Sequence, residues 1–199
     1  MRIKILGTAA AEGIPGLFCT CALCKHARET RGRNIRTRSQ SMINDKYLVD
    51  YPPDTYLHAL THQINLAAVE HLIITHDHDD HFYPVDLQYR HPPYGYNSEY
   101  PPLKLYGPKA VEEKYLNFRN QVADPEVDDY VKIHELKAFK TYQIGELTVL
   151  PLPALHGKNT ECFIYIIEAE GKRLLYGHDS GFFPEASMQR IKERRFDCI

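Results

Sequence analysis

Seven consecutive residues, Thr75-His76-Asp77-His78-Asp79-Asp80-His81, hold three histidines and three aspartates. A strand end puts residues i and i+2 on one face, so His76 and His78 are placed to share a cation. The chain then turns, and Asp80 and His81 point toward a second position nearby. Imidazole and carboxylate at this density suit Zn²⁺, Mn²⁺ or Fe. A solvated acidic loop with incidental histidines is the competing reading, and the apolar run 71–75 that feeds the cluster speaks against it. A second donor group is Cys19-x-Cys21-x-x-Cys24, three soft ligands and one short of a closed tetrahedral zinc site. The competing reading there is buried thiols acting as small apolar residues. The cysteine count is five, and the opening MRIKILGTAAAEG has no apolar core with a cleavage site. Both features argue against a disulfide framework and for a reducing, cytoplasmic setting, where clustered thiols bind metal.

The elements that must position these groups are short. The chain has 199 residues, 43% of them hydrophobic and 25% charged, which suits one globular domain, 1–199, with a single core. No apolar run of transmembrane length exists, so no membrane partner is expected. A net charge of −2 argues against coating nucleic acid by bulk charge, and no stable nucleic-acid partner is expected. A strand at 2–6 runs into Gly7 to Gly16, a loop too rich in glycine and proline for regular structure. A cysteine-bearing turn follows at 19–24. Strands are expected at 41–43 and 47–49 around the turn Asn44-Asp45, with a helix from Thr55 to Gln63 capped by Asp54. A strand at 71–75 delivers the chain to His76. Residues 82–102 carry five tyrosines and five prolines, and support only a short helix near 85–88. Further strands are expected at 103–106, 131–136, 148–152, 163–168 and 173–176. Helices are expected from Pro108 to Arg119 and from Pro184 to Arg194. Residues 196–199 read as a strand cut off at its start, hence a domain truncated at the C-terminus. Strands with interspersed helices make a layered α/β domain.

The pattern His76, His78, Asp80, His81 after a buried strand resembles the metallo-β-lactamase superfamily, whose signature is His-x-His-x-Asp-His. Leu152-Pro153-Ala154-Leu155-His156-Gly157 is similar to the family's next histidine segment. Leu174 to Gly181, with Asp179, is similar to its bridging-aspartate segment. The resemblance implies an αββα sandwich with the site at one edge between the sheets, its C-terminal part missing here. It implies that His76, His78 and His156 hold one metal, that Asp80 and His81 hold another, and that Asp179 bridges them. Asp80, His81 and Asp179 are the expected catalytic residues. Two Zn²⁺ or Mn²⁺ ions would make a metal-bound hydroxide at neutral pH, oriented by Asp80.

The cysteine trio narrows the resemblance to the phosphodiesterase family of the carbon–phosphorus lyase pathway, and is also similar to the pyrroloquinoline-quinone biosynthesis B group. It implies one structural Zn²⁺ on Cys19, Cys21 and Cys24. The family's fourth ligand is a late histidine with no counterpart here; His26 or His58 could serve instead, with His26 disfavoured by its closeness to Cys24. The family also takes a last ligand for its second metal from a histidine beyond the bridging aspartate. No histidine follows Asp179. His178 is a substitute only if its side chain does not point away from Asp179, as extended backbone would require. Among the basic residues at 25–38, Arg36 and Arg38 are expected to meet a phosphate, and the Tyr/Pro segment to wall the site. The expected activity is metal-dependent hydrolysis of a small phosphate ester, such as a cyclic phosphate or cyclic nucleotide. The alternatives are a quinone-type metal-binding protein without hydrolase activity, a metal-binding regulatory module, and a tRNA-processing endonuclease. A homodimer is left open.

Overall fold

The computed structural model describes residues 1–96, 99–122, 126–157 and 160–199. Six strands form one sheet in sequential order: β1 (Ile3–Gly7), β2 (Gln40–Ile43), β3 (Tyr47–Val49), β4 (His71–Ile73), β5 (Leu103–Gly107) and β6 (Val131–Glu135). The first two pairings are antiparallel and the last three parallel. Four strands form a second, antiparallel sheet: β7 (Tyr142–Ile144), β8 (Leu147–Pro153), β9 (Phe163–Ala169) and β10 (Lys172–Tyr176).

Alternation within the central strands explains the layers. In β3, Tyr47 and Val49 face the second sheet while Leu48 faces the other way. In β9, Phe163, Tyr165 and Ile167 join the core between the sheets, and Ile164 and Ile166 join a core on the far side. Apolar residues on both faces require cover on both faces. Val111 and Tyr115 of helix α3 (Lys109–Gln121) pack into the core outside the first sheet, and helix α2 (Thr55–His62) packs near β1. Ile191 of helix α5 (Glu185–Lys192) and Phe183 cover the second sheet. The result is the αββα sandwich.

Several elements differ from the sequence reading. The cysteine turn runs directly into helix α1 (Ala22–Thr30), whose buried residues Cys24 and Ala27 lie one turn apart. The helical piece after the histidine cluster is a 3-10 segment, Pro84–Arg90. Helix α4 (Val127–Tyr130) and strand β7 are additional. Residues 196–199 make one parallel bridge, Leu174 to Cys198, rather than a strand. The glycine loop lies against residues 36–38, with Ile14 and Arg36 exchanging backbone hydrogen bonds of 2.7 and 2.8 Å. A Cβ on Gly7 would sit 1.9 Å from the Arg38 carbonyl oxygen, so only glycine fits there.

Gln40 ties the first sheet to α2. Its amide donates to the Asp50 carbonyl at 2.9 Å and to the Thr55 hydroxyl at 3.0 Å. Its carbonyl lies 2.6 Å from His58 Nδ1, and His58 Nε2 lies 2.7 Å from the Thr37 hydroxyl. Both imidazole nitrogens are thus engaged, and His58, one of two candidates for the fourth ligand, is not free to complete the cysteine site. Burial pushes the His58 imidazole down to about 4. The unfolded chain then takes up this proton near the ordinary histidine value, before the folded chain does. His58 therefore erodes stability as pH falls from about 6.5 toward 4. The melting temperature of His58→Gln is expected to fall less steeply than that of the wild type over this window. Parallel slopes in thermal melts would refute the assignment.

Candidate metal centre

Four strand ends meet at one edge of the sandwich. β3 leads to Asp50, β4 to residues 75–81, β8 to His156, and β10 to His178 and Asp179. β3 and β4 are parallel, and β8 and β10 both run antiparallel to β9, so each pair ends on one side.

Asp50 is wholly buried. Its Oδ1 accepts from the Thr75 backbone N–H and the Thr75 hydroxyl, each at 2.9 Å. Its Oδ2 accepts from His81 Nδ1 at 2.8 Å and lies 3.2 Å from His178 Nε2. With Nδ1 so engaged, His81 Nε2 faces outward, 3.1 Å from Asp179 Oδ2 and 3.4 Å from Asp80 Oδ2. The same Asp179 oxygen is 3.2 Å from His156 Nε2 and 3.5 Å from His76 Nε2. His156 Nε2 is 3.1 Å from His78 Nδ1. Donor atoms of His76, His78 and His156 lie within 4.8 Å of one another, as do those of His76, His81 and Asp179.

The donor set fits a divalent cation. His76 Nε2 is buried and has no hydrogen-bond partner, an arrangement that is costly unless something else meets the lone pair. Burial, with His81 beside it, pushes the His76 imidazole down to about 3, so it presents that lone pair. Hydrogen bonding from His81, against burial, holds Asp179 down to about 2. His81 hydrogen bonding likewise lowers the Asp80 carboxyl. Asp50 is held well below the carboxylate range, because contacts to His178 and His81 together outweigh its burial. Burial opposes a charge on His81, but Asp179, Asp50 and Asp80 reverse the balance and raise it. The carboxylates thus draw positive charge into the site, where imidazole nitrogen and carboxylate oxygen suit zinc-type ions.

Supporting contacts fix the loops. The Thr75 hydroxyl lies 3.0 Å from His76 Nδ1. Tyr165 donates its hydroxyl to the Ile74 carbonyl at 2.6 Å, bracing the β4 end from the second sheet. Leu155 N–H donates to the Ser180 hydroxyl at 3.1 Å, and Gly181 N–H donates to the Leu155 carbonyl at 2.9 Å. These two bonds join the His156 loop to the Asp179 loop. Gly157 has a φ of +69°, and a Cβ there would meet the Thr160 hydroxyl at 2.7 Å. Lys114 of α3 donates to the Asp77 carbonyl and to Asp79 Oδ1, both at 2.6 Å.

The structure brings together His76, His78, Asp80, His81, His156 and Asp179, from three distant stretches. One partner, Asp50, is additional to the sequence reading, and His178 departs from the outward orientation expected of it. Asp50 gave no spacing signal, being one aspartate after an apolar strand. His178 turns inward beside Asp179, whose φ of +53° breaks the extended backbone that would have sent the side chain away. The arginines make other contacts. Arg38 donates to the Ala11 carbonyl at 2.8 Å and pairs with Asp54 at 3.1 Å, while Arg36 lies 3.4 Å from the Thr8 hydroxyl. Tyr89 and Tyr96 line a cavity on the helical side of the first sheet. The thiols of Cys19, Cys21 and Cys24 lie within 4.8 Å of one another, without His26 in the group. Arg28 clamps their loop by donating to the carbonyls of Cys19 and Gly16 at 2.7 and 2.9 Å.

A family model described as the beta-lactamase superfamily domain matches residues 46–199. The chain belongs to that superfamily. A ribonuclease Z from Staphylococcus epidermidis is 27% identical over 171 residues, covering 85% of this chain and 50% of that protein. The chain spans half or less of the length of the first curated relatives it matches. A solved diphosphatase of the PhnP family superposes with a TM-score of 0.75 at 22% identity, covering 98% of this chain and 71% of that one. Zn²⁺-bound PqqB from Methylobacterium extorquens gives 0.73 at 22% identity, covering 96% and 69%. At these identities the two superpositions establish the metallo-β-lactamase fold.

The Lys114 contacts give a test of the loop's support. Lys114→Met should raise amide hydrogen exchange across residues 76–81 and leave β8 and β9 unchanged. Unaltered exchange in that loop would show that α3 does not hold it.

Proposed function

We propose that the protein is a zinc- or manganese-dependent hydrolase of small phosphodiesters, such as cyclic phosphate esters or cyclic nucleotides. The observation that carries the reading is the convergence of three imidazole nitrogens on one Asp179 oxygen, with Asp80 beside His81. In this reading His76, His78 and His156 hold one ion, Asp80 and His81 hold a second, and Asp179 lies between them. Such a pair of ions acidifies water and offsets charge on a phosphoryl oxygen. The chain's own part is orientation. Asp50 fixes His81 with Nε2 facing the site, and Thr75 fixes both Asp50 and His76. In this reading Asp80, partly buried at the rim of the cluster, would orient the attacking water while holding the second ion. The guanidinium groups of Arg36 and Arg38 are tied to the glycine loop and Asp54, so substrate phosphate would have to engage the ions more than these arginines.

The ribonuclease Z similarity supports a second reading, cleavage of an RNA phosphodiester by the same groups. Substrate size separates the two. Bis(p-nitrophenyl) phosphate or a 2′,3′-cyclic nucleotide should be turned over by the full protein loaded with Zn²⁺ or Mn²⁺. Asp80→Ala should lower kcat by about a thousandfold, with little change in substrate binding. Cleavage of a precursor tRNA alone would favour the second reading, and no turnover of any of these esters would sink the hydrolase proposal.

The thiol trio is proposed to hold one structural zinc. Hydrogen bonds at the Cys24 backbone and from the Cys19 and Cys24 thiols bring the Cys21 thiol down to about 7, toward the thiolate that binds metal. Cys21→Ser should remove about one zinc per chain and lower the melting temperature, while the phosphodiesterase rate per folded molecule stays unchanged. Equal zinc content in mutant and wild type would refute the site.

A further inference from the structure

A cavity of about 550 Å³ opens on the helical side of the first sheet, away from the histidine cluster. Its floor is Leu48, Leu72 and Leu103, side chains that are almost fully buried. Its walls come from Tyr51, α2 and the segment 84–96. The cavity is open to solvent at its mouth, and covering its apolar floor would be favourable. Its volume falls in the range of small-molecule sites.

Two charged residues line it, and they differ in what they leave available. Arg90 donates to the carbonyls of Leu66, Ala67, Val69 and Pro101 at 3.1–3.3 Å. Its Nε is buried out of reach. The guanidinium is thus turned into the backbone and is not offered to a guest. Asp86 makes no hydrogen bond or ion pair with any described residue. Burial pushes its carboxyl up. The same cavity is lined by Tyr51, Tyr56, Tyr89 and Tyr96. Tyr51 is nearly buried at the base, whereas Tyr56 and Tyr96 are 68% and 84% exposed at the mouth.

We infer that this cavity is a binding site for a small organic cation, an alkyl- or arylalkyl-ammonium whose apolar body fills the leucine floor and whose nitrogen meets Asp86. Aromatic faces and a partly buried carboxylate are groups that recognise an ammonium, and an apolar floor favours one with an organic body over a hydrated inorganic cation. An anion would face the Asp86 charge, and the Arg90 guanidinium is largely engaged by backbone carbonyls. The inference is independent of the hydrolase reading, because none of these side chains belongs to the histidine cluster.

The test uses the full protein and two matched pairs of probes: hexylammonium against hexanol, and phenethylammonium against phenethyl alcohol. Binding is followed by calorimetry and by amide chemical shifts. Each ammonium should bind about tenfold more tightly than its neutral partner, with shifts at Tyr51 and residues 84–90. Asp86→Asn should abolish that preference and leave the alcohols unaffected. Tyr56→Ala, on an exposed helical face that leaves the core intact, should weaken the ammonium probes and serves if Asp86→Asn does not fold. Equal or tighter binding of the alcohols would reduce the site to a plain apolar cavity and overturn the inference. Failure of every probe to bind at millimolar concentration would also overturn it, as would shifts confined to residues 76–81 and 178–179.

Discussion

The Asp50 carboxylate is the constraint on which the candidate centre depends. A fully buried anion is tolerated only when hydrogen bonds and opposite charge surround it. Here one carboxylate collects the Thr75 N–H, the Thr75 hydroxyl and His81 Nδ1, with His178 beside it. Those contacts join the ends of β3, β4 and β10, which belong to two different sheets. They also settle chemistry, because an imidazole that gives its Nδ1 proton to a carboxylate must present Nε2 on its other side. The orientation of His81 is thus decided by a residue that touches none of the other cluster side chains except His178.

The sandwich supplies the rest of the convergence. A parallel neighbour for β3 and a β9 that runs opposite to both β8 and β10 send four loops to one edge. The cores on either side of each sheet fix the registers, since a one-residue slip in β9 would exchange Tyr165 with Ile164 or Ile166. Tyr165 cannot be so exchanged without losing its bond to the Ile74 carbonyl, one residue before Thr75. Packing between the sheets and placement of the first histidine are therefore the same requirement. The loops carry conformations that only such anchoring sustains: Asp50 and Asp179 both have left-handed backbone, at φ values of +64° and +53°.

Much of this was legible in the sequence. The seven-residue cluster declares itself by density, and His156 and Asp179 through the resemblance of their segments to the metallo-β-lactamase superfamily. Strand positions follow from the short apolar runs, because β3, β4, β8 and β9 are buried on both faces. What escaped has a physical reason in each case. Asp50 is a single aspartate whose function lies in what it touches, 25 and 31 residues away along the chain. His178 depends on a backbone turn at Asp179 that an Asp-Ser-Gly run allows but does not specify. Arg38 lies in a basic stretch that suggested phosphate, and only the fold reveals Asp54 beside it. Helix α1 begins inside the cysteine spacing, where metal-ligand pattern and helical period overlap.

The two sides of the first sheet are joined at the adjacent residues Asp50 and Tyr51. The Asp50 carboxylate braces His81, and the next residue, Tyr51, sends its ring into the cavity on the helical side. The Tyr51 N–H donates to the His81 carbonyl at 2.6 Å, and the Tyr51 carbonyl accepts from the Tyr83 N–H at 2.8 Å. The cavity wall and the histidine loop therefore share backbone hydrogen bonds, without any long chain of side chains between them. Close-packed interiors do not deform continuously, so a displacement of Tyr51 is felt at the His81 peptide. The same strand end that holds the candidate centre rigid also makes it the part of the fold most directly exposed to whatever fills the space behind it.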